Sequence, residues 1–165
     1  MKNGLVIADA GPIFSLAVTN KLEILDQLFD EIKIPNAVWE EVTLIKTTKF
    51  YKTIEQYFKS KVNKIKGFNE LTFVMDYGES ESIILYKELN ADFLLIDDKK
   101  ARNIAENFGV NCIGTLGILS SAKSKGIIKE LRPLLKILLK NERYYSLKLV
   151  NALLEKNSEL KIHKA

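Results

Sequence analysis

The sequence predicts an α/β fold: a parallel sheet covered on both faces by helices. Three observations lead there. Short apolar runs alternate with longer segments of helical apolar spacing, the pattern of right-handed βαβ crossovers. The runs are bounded by Asp, Pro or Gly, which ends them as buried strands. The chain has 165 residues, 47% of them apolar, enough for one domain with a full core.

The first run, Leu5–Ala8, is broken by Asp9-Ala10-Gly11-Pro12, and Pro12 suits the first turn of a helix. Leu16, Leu22, Leu25, Leu28 and Phe29 keep helical spacing, with an interruption near Thr19-Asn20. Residues 32–34, closed by Pro35, read as a second strand, and a helix follows from Asn36. A helix rich in Lys and aromatics is expected over 47–61. Segments 64–68 and 71–75 read as one weak strand or as loop. Further along come a helix over 78–90, a strand over 93–96 and a helix over 98–108 stopped by Gly109. A strand over 111–113 and a helix over 115–125, ended by Gly126, follow. Two more helices are expected over 129–139 and 146–156. The chain is therefore one domain, 1–165, with about 129–165 as a helical C-terminal extension. Sites on such a sheet lie at the carboxyl ends of its strands.

Composition removes several chemistries. One cysteine, Cys112, excludes an intrachain disulfide framework and Cys-rich zinc sites. The single histidine, His163, excludes His-based triads and common zinc sites. Chemistry must rest on carboxylates. The N-terminal apolar run is too short for a signal peptide, and no stretch reaches the roughly 20 apolar residues that cross a bilayer. A cytoplasmic location without membrane contact is expected. The net charge of +4 hides a segregation: residues 46–66 sum to +6 and 121–165 to +7, against −4 for 1–45 and −5 for 67–120. Solvated lysine faces explain this, as does a cation-binding pocket beside a polyanion track.

Six acidic positions stand where elements meet. Asp9 directly follows a strand, either as a helix cap or as a site residue. Glu41 falls inside the stripe Val38, Val42, Ile45, at its interior or at a rim that reaches water. Glu79 and Glu81 open a helix, where the dipole favours both. They point about 200° apart, and Glu81 aligns with the core-side Ile84 and Leu85. Asp97-Asp98 ends a strand and begins a helix, as a cap and a neighbour or as a pair of ligands. Brought to one sheet edge, such acids without histidine suit Mg²⁺ or Mn²⁺. Asp-x-Asp phosphatases are excluded by Gly11, and no Gly-rich nucleotide loop follows a strand.

Several segments resemble the PIN-domain family, in its DUF3368 branch. These are Asp9 to Ala17, Ile34 to Val42, Gly78 to Ile83, Leu95 to Arg102, and Gly114 to Leu119 with Ala122 to Gly126. The resemblance implies a three-layer α/β/α sandwich and a Mg- or Mn-dependent ribonuclease. It is also similar to the toxin components of toxin–antitoxin modules of the VapBC type, whose nuclease a partner protein blocks. By position it makes Asp9, Glu41, Glu81 and Asp98 the catalytic, metal-binding acids, with Asp97 or Glu79 as substitutes. Ala10 and Ile96 replace hydroxyl residues common in the family, for which Ser15 or Thr115 are substitutes. An RNA backbone would be held by Lys99, Lys100, Arg102 and the lysines of 46–66. Tyr51, Tyr57 and Phe58 either stack bases or belong to the core. Finally, Leu131, Leu134, Leu135, Leu138 and Leu139 form one apolar stripe, and Leu147, Val150, Leu153 and Leu154 another. They pack on the domain or form an interface with a second copy or an antitoxin protein.

Overall fold

The structure is a computed structural model and describes residues 2–143 and 145–163. Its centre is a five-stranded, all-parallel sheet in the order β3-β2-β1-β4-β5. The strands are β1 (Leu5–Ala8), β2 (Glu31–Pro35), β3 (Val62–Asn63), β4 (Phe93–Leu95) and β5 (Cys112–Ile113). Side chains alternate across β1. Val6 and Ala8 enter one apolar cluster with Ile13, Leu16 and Leu25, whereas Ile7 enters a second with Ile83, Leu94 and Ala105. Two cores on opposite faces of one sheet make the three-layer α/β/α sandwich.

The helices are α1 (Ala10–Val18), α2 (Ile24–Leu28), α3 (Asn36–Val42), α4 (Tyr51–Phe58) and α5 (Tyr77–Glu88). They continue as α6 (Lys99–Asn107), α7 (Thr115–Ser124), α8 (Arg132–Lys140) and α9 (Leu147–Lys156). Helices α5 and α6 line the second core, and α1, α7, α8 and α9 the first. Leu134, Leu135, Leu138, Val150 and Leu154 are all buried there. The C-terminal leucine stripes thus pack on the domain. Glu159 fastens this extension by accepting hydrogen bonds from the N–H groups of Leu131 and Arg132 and pairing with Lys123.

One local expectation changes, and one pair of alternatives is decided for loop. Helix α4 is shorter than 47–61 because its buried contacts, Ile54 and Phe58, lie one turn apart, and residues 46–49 have nothing apolar to bury. The segment 64–68 holds no strand. The added strand is Val62–Asn63, paired with Ile34 and Pro35, and Glu70–Phe73 forms a 3₁₀ turn. Among the described residues no helix is long and apolar enough to cross a membrane.

Candidate active site

Strand order reverses between β1 and β4. The chain runs outward from β1 through β2 to β3, then restarts on the other side with β4 and β5. In open parallel sheets this switch point opens a crevice at the carboxyl ends. Asp9 follows β1 there and Asp97 follows β4, with the Asp9 N–H donating to the Leu95 carbonyl at 2.9 Å.

Asp9 is only 7% exposed and caps α1 by backbone conformation, without a side-chain capping bond. Burial, opposed by a hydrogen bond from the Ala10 N–H and reinforced by the charges of Glu79, Glu41 and Asp97, pushes its carboxyl up to about 7. Glu79, in the first turn of α5, is also pushed up to about 7, by burial and then by Asp98, Asp76 and Glu41. Glu41, at the end of α3, is raised by burial and by Asp76. It sits at the rim, since α3 stops at Val42 and leaves Ile45 in solvent. Gly78 lets these groups approach. A Cβ there would lie 3.0 Å from Glu41 Oε2 and 3.8 Å from Asp9 Oδ1.

Glu81 is buried as its alignment with the core side implies, but the carboxylate meets backbone. Its Oε2 accepts from the Ala37 N–H at 2.9 Å, tying α5 to the N-terminus of α3 (where the dipole favours an anion). The acid of α5 that shares charge with Asp9 is Glu79. Asp98 caps α6, accepting from the Ala101 N–H at 2.8 Å. It also lines a cavity of about 170 Å³ with Asp76, Glu79 and Lys100.

Asp97 is held from three directions. Oδ1 accepts from the Thr115 N–H at 2.8 Å, and Oδ2 from the Thr115 hydroxyl at 2.7 Å and the Tyr145 hydroxyl at 2.5 Å. Behind Tyr145 the chain of donors continues. The Ser15 hydroxyl is 2.8 Å from the Tyr145 oxygen, and Arg143 Nε donates to Ser15 Oγ at 3.0 Å. Arg143 also donates to the Gly11 carbonyl at 2.9 Å. Burial and the Asp97 carboxylate raise the Tyr145 hydroxyl well above the ordinary phenol range, so it remains a donor at neutral pH. Ser15 and Thr115 are both fully buried, and their hydroxyls orient the acid. Sequence reasoning missed Tyr145 and Arg143. They lie 130 and 128 residues from Ser15, and the only local signal is an Arg and two Tyr between two helices.

The cationic candidates divide between two cavities. Lys100 lines the smaller one. Lys99 and Arg102 line a larger one on the other side of Asp97. Of the aromatics on and beside α4, Phe58 is fully buried and Tyr57 lies beneath Lys61, whose Nζ is 4.2 Å from the ring centre. Phe58 is core rather than a stacking platform.

Among the described residues no three His, Cys, Asp or Glu side chains stand together tightly enough to hold a metal ion as they are. The reason is physical. Unneutralised carboxylates repel, and Glu81 and Asp98 turn to backbone N–H groups instead. The donors nevertheless fit a hard cation: all are oxygen, and Asp9 is buried without an ion pair among the described residues, beside the space left by Gly78. Asp9, Glu41 and Glu79, with Asp97, are the residues such an ion would draw in.

A family model described as DUF3368, a PIN domain, matches residues 5–159, and the chain belongs to that family. PIN domains are generally nucleases and usually use divalent metals. No curated protein matches the chain.

Proposed function

We propose that this protein is a Mg- or Mn-dependent endoribonuclease, and the toxin component of a toxin–antitoxin pair. The observation that carries the nuclease reading is Asp9, a buried carboxylate at the switch point that faces Glu41 and Glu79 and enters no ion pair among the described residues. Burial of such a group is costly unless a cation meets it. A bound divalent ion supplies Lewis-acid activation of water and of the phosphodiester. The chain's own residues do the rest. Asp9, Glu41 and Glu79 hold the ion, while Thr115 and Tyr145 fix the direction of Asp97. Lys100 on one side, and Lys99 with Arg102 on the other, draw the RNA backbone across the crevice.

The test is cleavage of single-stranded RNA with Mn²⁺ by wild type and Asp9→Asn. Cleavage by the first and none by the second is expected, and equal rates would refute the reading. One observation favours an inactive, RNA- or partner-binding module instead: the side chains of Glu81 and Asp98 accept from backbone N–H groups. Calorimetric titration with Mn²⁺ separates the two, since a catalytic pocket binds the ion and a set of caps does not. For the toxin role, expression with and without the product of a small adjacent gene is the measurement. Growth arrest relieved by that product is the expected result.

A further inference from the structure

The larger cavity beside Asp97 has a volume of about 830 Å³, within the range of sites that hold small organic groups. Its walls differ in chemistry. One side carries Lys99, Arg102 and Asn103, the other Leu116, Tyr145 and Leu149. Arg102 is fixed by donating to the Ile96 carbonyl at 2.8 Å, and its Nε is buried without an acceptor among the described residues. Neither Lys99 nor Arg102 enters an ion pair among the described residues. Gly114 admits the guanidinium, because a Cβ there would collide with Arg102 Nη2. Two cations without a direct ion pair among the described residues therefore face an apolar wall, with Asp97 of the candidate site also lining the cavity.

The apolar wall comes largely from the C-terminal extension. Tyr145 precedes α9 and Leu149 lies in its first turns, 57% exposed. The cavity continues through Leu116, Gly117 and Leu149 into a second hollow between α7 and α9, of about 320 Å³. A cationic side, an aromatic ring and an aliphatic floor match one unstacked nucleotide, its phosphate on the cations and its base on the wall. A duplex buries its base faces in its own stack and presents no free base to such a wall.

We infer that this cavity is a nucleotide subsite, in which α9 holds a base of single-stranded RNA next to the scissile bond. The inference rests on the ribonuclease reading and extends it to the substrate class and to the role of the extension. Charge favours RNA, which brings a phosphate at every nucleotide, over an amphipathic helix of a protein partner, which would need acidic side chains placed against both Lys99 and Arg102.

The test is fluorescence anisotropy of a labelled short single-stranded RNA, with chelator present so that no cleavage intervenes. The proteins are wild type, Leu149→Glu, Lys99→Gln and, as a control on the exposed face of α8, Lys136→Gln. Thermal unfolding of each confirms the fold. Leu149→Glu and Lys99→Gln are each expected to weaken binding about tenfold, with Lys136→Gln unchanged and an RNA duplex bound more weakly than the single strand. Unchanged affinity in Leu149→Glu and Lys99→Gln overturns the subsite, and is the result expected if a protein partner occupies the groove. Cleavage by wild type with Mn²⁺, measured in parallel, tells which idea has failed. If wild type cleaves, the subsite alone falls; if it neither binds nor cleaves RNA, both fall.

Discussion

Asp9 and Asp97 end neighbouring strands of one sheet, a single backbone hydrogen bond apart in register, yet their surroundings are opposite. Asp97 is only half-buried and accepts three hydrogen bonds, two from Thr115 and one from Tyr145. Asp9 is more deeply buried, and against three neighbouring acids its carboxyl has, among the described residues, a hydrogen bond only from the adjacent Ala10 N–H. One carboxylate has been given distant partners by the fold; the other stands against further acids with no cation beside it among the described residues. A protein built only for stability would pair both or bury neither. On the proposed reading the two residues have separate tasks: Asp97 keeps a direction, and Asp9 would meet the cation.

Removing the charge of Asp9 tests this contrast most severely. Asp9→Asn is expected to lower RNA cleavage by about 10³-fold, read from initial rates with Mn²⁺. The same change is expected to raise the melting temperature at pH 7.5, because an amide relieves the charge that burial penalises. A fall in both activity and stability would mean that Asp9 is an ordinary cap.

Acidity sharpens the contrast next. The Asp9 and Glu79 carboxyls, at about 7 in the folded chain, have ordinary values of 3.8 and 4.5. The folded chain thus holds protons that the unfolded chain has already lost. Their contribution to stability is present near pH 4 and is lost as pH rises toward 7. Calorimetric unfolding across that window is expected to show wild type losing stability relative to Asp9→Asn. Added Mg²⁺ at pH 7.5 is expected to restore part of the loss.

On the other carboxylate, Tyr145→Phe removes a donor to Asp97 and the acceptor of Ser15. A loss of about 10- to 100-fold in metal-dependent activity is expected, the scale for residues that orient a ligand, with about 1 kcal/mol of stability. Mn²⁺ titration is expected to show weaker binding, which a purely structural role for Tyr145 would not produce. The smallest effect is expected from Glu81→Gln. It should cost about 1 kcal/mol in denaturant unfolding and leave cleavage within a few-fold. A large loss of activity there would return Glu81 to the catalytic group.

Periodicity and punctuation made the sheet legible. Each long strand is a short apolar run closed by a breaker, and Gly109 and Gly126 both fall just past helices. Asp9 and Asp97 were legible for the same reason, since a residue directly after a buried strand has one place to be. Choosing between Glu79 and Glu81 needed more. The helical wheel located the core side of α5 correctly for Glu81, but it carries no information about what that side meets. Only tertiary packing shows that it meets the N–H of Ala37. The two-residue β3 was too short to leave a pattern. Tyr145 and Arg143 lie in a loop without periodicity, and their partners are more than a hundred residues earlier.

That distance bears on synthesis. The ties from Arg143 to Gly11 and from Tyr145 to Asp97 join the first strand end to a segment made late. During translation the acids of β1 and β4 emerge well before the groups that lock Asp97. The nascent polypeptide consequently carries an unfinished crevice until residues 143 and 145 have left the ribosome, and only then can Asp97 take its final set of partners.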